Sequence, residues 1–130
     1  RYETDLVNTA AQATELAELV AEDNVGVLLD TYHMNIEEKD VEEALRQSRS
    51  KLVHLHCVEH DRGVPGSGHF SWTGIFETLQ DIGYDGWLTL EMFIQADQAV
   101  SPDLAIWRPI EAGPGEAARR GLAFLRESVA

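Results

Sequence analysis

Val25-Gly26-Val27-Leu28-Leu29-Asp30 is the stretch on which the fold turns. It is a short apolar run closed by one acid, and it lacks the polar alternation of a strand that faces water on one side. Such a run fits a parallel strand buried on both faces. Two more runs have the same form: Leu52-Val53-His54-Leu55-His56-Cys57-Val58 and Trp87-Leu88-Thr89-Leu90-Glu91-Met92. Helical patterns lie between them. Leu6, Ala10, Ala13, Leu16, Ala17 and Val20 recur at helical spacing, in a helix expected to end near Asp23-Asn24. Val41 to Leu45 opens a second helix behind Asp40, a residue type suited to the N-cap. Trp72, Ile75, Phe76, Leu79 and Ile82 mark a third, stopped by Gly83, and Glu116 to Val129 a last one. Alternating strands and helices predict a parallel α/β sheet. Arg1-Tyr2-Glu3 reads as the end of one further strand.

Composition removes several classes of function. The net charge is −13, from 23 acidic and 10 basic residues, and the only lysines are Lys39 and Lys51. Such a surface repels phosphate backbones, so nucleic acid is excluded as a partner. No apolar run is long enough to span a membrane. Cys57 stands alone, so no intrachain disulfide can form, which fits a cytoplasmic location. It reads as a small core residue.

Each strand carries a metal-capable residue at or near its C-terminal end: Asp30, His56 and Glu91. Parallel strands share one rim at that end, where active sites form. Alternation puts Leu28 with Asp30, His54 with His56, and Thr89 with Glu91. Two carboxylates and one imidazole suit Mn²⁺, Mg²⁺, Co²⁺ or Zn²⁺, and spacing alone does not choose among them. A lone strand-end acid is more often a helix cap or turn residue, but three strands in a row ending in ligand types point to a site. His33 and Arg62 lie in the loops just beyond. They read either as groups that hold a carbonyl or enolate oxygen, or as a buried hydrogen-bonded ring and a surface charge. His60 and His69 have polar loop neighbours and read as solvated. His54 is expected to fill the interior with a hydrogen bond.

These residues resemble a known family. Leu29-Asp30-Thr31-Tyr32-His33-Met34-Asn35-Ile36-Glu37-Glu38 is similar to a segment of ketose 3-epimerases of the D-tagatose/D-psicose (allulose) type, within the xylose-isomerase-like barrel superfamily. Arg1-Tyr2-Glu3 resembles their Arg-Phe-Glu, with Leu6-Val7-Asn8-Thr9 following in register. His54-Leu55-His56 with Glu59, Arg62, Val64-Pro65-Gly66, Gly68 and Trp72 resembles their second signature. Leu90-Glu91-Met92-Phe93 resembles their Met-Glu-Pro-Phe, with Met92 in the place of Pro, and Ile106-Trp107-Arg108 resembles their Val-Trp-Arg.

The resemblance implies a (β/α)8 TIM barrel, with residues 1–130 as its C-terminal half: about three strands and a strand end. A whole barrel takes about 250 residues, so an N-terminal half is expected upstream. Apolar residues lining the barrel, such as Leu28, Leu52 and Trp87, are then expected to lie uncovered. By resemblance Asp30, His56 and Glu91 are metal ligands and Glu91 is also a catalytic carboxylate. Glu3, His33 and Arg62 hold substrate oxygens. The cation is expected to be Mn²⁺ first, with Co²⁺, Mg²⁺ or Zn²⁺ as alternatives. The implied reaction is C3 epimerisation of a ketose through a cis-enediolate, with a second carboxylate upstream of Glu3, in an enzyme that is a homo-oligomer at full length. Two alternatives stand beside it: an isomerase of the hydroxypyruvate or inositol-ketone type, and an inactive barrel remnant. The superfamily's DNA-repair endonucleases are set aside by the charge of −13.

Overall fold

The computed structural model describes every residue except Glu3, Asp97, Gln98, Val100 and Ala130. The elements run α1 (Ala10–Val20), β1 (Val27–Asp30), α2 (Thr31–Glu37), α3 (Val41–Gln47), β2 (Leu52–Cys57), α4 (Trp72–Asp81), β3 (Trp87–Leu90) and α5 (Pro114–Ser128). The strands form one parallel sheet in the order β1-β2-β3. Strand order never reverses, as it does in a doubly wound sheet, and this monotonic order is that of a barrel segment.

Local chemistry sets the helix ends. α1 starts later than its apolar spacing suggests, because Thr9 and Gln12 form a capping box that fixes the first turn. Leu6 is left outside and exposed. The helix stops at Val20, where Ala21 turns left-handed at φ 57°. Asp40 caps α3 as expected, accepting from the Glu43 amide at 2.9 Å. α2 occupies Thr31–Glu37, where the sequence predicts a loop. Asp30 creates it, its Oδ1 accepting from the His33 amide at 3.1 Å. α5 begins at Pro114, whose missing N–H costs nothing in a first turn. Arg1 and Tyr2 lie in no strand, and Glu3 lies outside the described residues.

One face of the sheet is packed and the other open. Leu29, Leu55 and Cys57 lie in the core with Ala17, Leu45, Ile75, Phe76 and Leu79 from the helices. On the opposite face Leu28 is 49% exposed, Val53 55% and Trp87 77%. Leu52, expected on that open face, is only 8% exposed. The β1–β2 register shifts between Val27 and Leu28, so Val27 pairs with Leu52 and Leu28 with His54. The irregularity puts Val53 on the open face and Leu52 in the core.

Thr31 ties the rim of β1 to that of β2. Its buried hydroxyl donates to the Val58 carbonyl at 2.6 Å and accepts from the Val58 amide at 2.9 Å. Thr31→Val keeps the shape but strands both backbone groups, and should cost on the order of 3 kcal/mol. Urea denaturation checks this, and a loss near zero would show that the tie is dispensable.

Candidate metal centre

The sheet register assembles the site. Asp30 pairs with His56, and His56 pairs with Thr89 across the other ladder. Glu91 follows two residues after Thr89, just past the end of β3, and so returns to the same face. His56 Nδ1 lies 3.4 Å from Asp30 Oδ2 and 3.2 Å from Glu91 Oε1. One ligand atom from each of the three residues falls within 4.8 Å of the others.

These residues fit a divalent cation on the structure's own terms. Asp30 is buried, and its Oδ2 has no hydrogen-bond donor. A buried carboxylate oxygen without a donor is costly, and a cation between the three ligand atoms relieves that cost. Asp30, His56 and Glu91 would hold it, and two oxygens with one imidazole suit Mn²⁺, Co²⁺, Mg²⁺ or Zn²⁺. His54 sits one layer below, with Nε2 2.8 Å from Thr89 Oγ1 and its ring edge-on to His56 at 5.2 Å.

Arg62 closes the rim. It is 4% exposed, so the reading as a surface charge is set aside. Its Nη1 donates to Glu91 Oε2 at 2.9 Å and lies 3.7 Å from Asp30 Oδ2, and its Nη2 meets His33 Nε2 at 3.1 Å. A guanidinium can only donate, so the facing nitrogen of His33 carries its lone pair. The guanidinium carbon lies 3.9 Å from the Tyr32 ring centre and 5.1 Å from that of Phe93. Beside this group opens a 200 Å³ cavity lined by Tyr2, Tyr32, His33, Arg62 and residues 103–105.

The sequence reading thus named Asp30, His33, His56, Arg62 and Glu91, and all five converge. Glu3 lies outside the described residues. The aromatic faces of Tyr32 and Phe93 complete the rim without any signal in the sequence pattern. Glu59, in the sequence one member of a motif, is wholly buried. Its carboxylate accepts from the Gly66, His69 and Phe70 amides and from the Trp72 indole, at 2.8–3.1 Å. Trp72 was the available signal, because a buried indole N–H needs an acceptor. His69 is exposed, as expected, and His60 is half-buried. Their ring centres lie 3.9 Å apart with the planes tilted by 35°, and His60 is near Glu59 and His69 near Asn35.

Burial alone would push the Glu59 carboxyl up, but hydrogen bonds from Trp72, Phe70, His60 and Gly66 outweigh it and hold the group below its ordinary value. Its contribution to stability is therefore complete above the unfolded value of about 4.3 and is lost as pH falls through the lower folded value. Thermal melts through this acid range should show a drop that Glu59→Gln flattens; identical slopes would exclude Glu59 as the cause. Burial, together with the Asp30 charge, pushes the Cys57 thiol up to about 12 and leaves it inert.

The relatives carry the same arrangement of chain. A family model described as xylose isomerase-like TIM barrel matches residues 1–128. The chain belongs to the xylose isomerase-like TIM barrel family. Within that barrel family it is 40% identical, over 98% of its length, to a probable ketose 3-epimerase of Synechocystis sp.. It is 42% identical, over 89% of its length, to the D-psicose 3-epimerase of Ruminiclostridium cellulolyticum. It covers 45% and 40% of those two proteins. The crystal structure of a D-psicose 3-epimerase in the presence of D-fructose superposes with a TM-score of 0.93 at 37% identity, over 99% of this chain and 46% of that one. The chain therefore spans less than half the length of the barrel enzymes it matches. Among the described residues, no helix is long and apolar enough to cross a membrane.

Proposed function

We propose that residues 1–130 are the C-terminal part of a barrel enzyme that epimerises a ketose at C3, with Asp30, His56 and Glu91 holding a divalent cation, Mn²⁺ first. The observation that carries this reading is the convergence of three strand-end ligands around an undonated, buried Asp30 oxygen. When bound, the cation supplies Lewis-acid polarisation of the ketose carbonyl, which acidifies the adjoining C–H. Glu91 takes the C3 proton. Arg62 and His33 orient the sugar oxygens, and the Arg62 charge stabilises the cis-enediolate that follows. Glu3 serves the same oxygens by family resemblance.

Epimerisation needs a second acid, because the proton leaves one face of C3 and returns to the other. Asp30 is not given that role, because its Oδ1 caps α2 and its Oδ2 is the oxygen offered to the cation. The second carboxylate therefore belongs to the rest of the protein, and the activity to the whole enzyme. The lone buried thiol of Cys57 fits a cytoplasmic location.

The test is a substrate panel with the whole protein, stripped of metal and reloaded with Mn²⁺. Interconversion of D-fructose and D-psicose, lost with chelator and restored by Mn²⁺, supports the reading. Turnover of hydroxypyruvate or an inositol ketone in its place would move the enzyme to another branch of the family.

A further inference from the structure

Arg62 is held in an unusual backbone conformation, and the device that holds it is not among the groups that meet substrate. Its φ is +72°, a left-handed value that costs a side-chain-bearing residue energy. The turn that imposes it belongs to Glu59. The Arg62 amide donates to the Glu59 carbonyl at 3.0 Å, and the Glu59 amide donates to the Gly63 carbonyl at 3.1 Å. The Arg62 carbonyl then accepts from the Phe93 amide at 3.2 Å, which joins the turn to the segment after Glu91.

The Glu59 side chain secures the other half of the same loop. Oε2 accepts from the Gly66 amide at 3.0 Å and the Trp72 indole at 2.8 Å, while Oε1 accepts from the His69 and Phe70 amides at 3.0 and 3.1 Å. Gly66 is itself left-handed at φ +83°, with the Phe124 ring where a side chain would stand, so the loop has no slack there. One buried carboxylate thus gathers four donors across residues 66–72 while its own backbone closes the 59–63 turn. Glu59 is absent from the Asp30–His56–Glu91 group.

We infer that Glu59 is a positioning residue: it fixes the loop so that the Arg62 guanidinium stays between Tyr32 and Phe93, aimed at Glu91 and His33. This rests on the proposed function only for its kinetic consequence. The positional claim stands on the geometry alone.

The experiment compares the whole protein with Glu59→Gln and with Trp72→Phe, which removes a single donor and guards against a Glu59 variant that fails to fold. The first readout needs no catalysis. Phenylglyoxal modification of Arg62, followed by mass spectrometry, should be slow in the parent and at least about tenfold faster in Glu59→Gln, with a smaller rise in Trp72→Phe. The second readout is a double-mutant cycle on ketose turnover. Glu59→Gln should lower kcat/KM by about 10–100-fold when Arg62 is present, and by less than about threefold in an Arg62→Ala background. Unchanged Arg62 reactivity in both variants, or an equal kinetic loss in both backgrounds, overturns the inference. If the parent turns over no ketose, the functional reading fails, while the modification rates still decide the role of Glu59.

Discussion

Glu91→Gln should lower kcat for ketose epimerisation by about 10²–10⁴-fold, the range that a positioned general base contributes. The amide cannot take a proton, yet its oxygen can still accept the 2.9 Å hydrogen bond from Arg62 Nη1, so the rim keeps its shape. Glu91 is also a proposed ligand, so the variant must be measured at saturating Mn²⁺, where lost affinity and lost proton transfer separate. Parent-like kcat under those conditions would remove Glu91 from the chemistry and leave it at most a ligand.

Asp30→Asn should lower Mn²⁺ affinity by at least about 100-fold, the upper end of what losing even an outer-shell partner costs. The substitution isolates the charge. Asp30 caps α2 through Oδ1, and Asn is an equally good cap, so the helix should survive. What disappears is the negative charge on the oxygen that lacks a donor. Mn²⁺ titration followed by electron paramagnetic resonance reads the affinity, and circular dichroism checks the helix. Retained affinity would show that the cation binds elsewhere.

The sheet was legible because each strand is an apolar run ending in an acid, or passing through a histidine, at the rim. The shared C-terminal rim of parallel strands, supported by period-2 alternation within each strand, pointed Asp30, His56 and Glu91 to one place. Three features escaped that logic. α2 is a helix of seven residues, too short for periodicity to register, and it exists because one carboxylate serves as both cap and site residue. Leu52 changed faces through a register irregularity that no local pattern encodes. The burial of Arg62 depends on Tyr32, Phe93 and the Glu59 turn, which meet only when α2 and the segments after β2 and β3 come together over the rim. A charged residue in a glycine-rich loop reads as solvated unless the groups that enclose it can be seen.

The site and the open sheet face also explain each other. Leu28, Val53 and Trp87 lie on the face that carries the ligands, and in a closed barrel that face is the interior.

The most direct test of the central claim is hydrogen exchange at C3. The whole protein, loaded with Mn²⁺, is incubated with D-fructose in D₂O and followed by NMR. Proton abstraction by Glu91 predicts deuterium at C3 as D-psicose forms, with no exchange after chelation and none in Glu91→Gln. Deuterium entering at C1, or ketose turnover that leaves the C3 hydrogen in place, would contradict a C3 epimerase built on Asp30, His56 and Glu91.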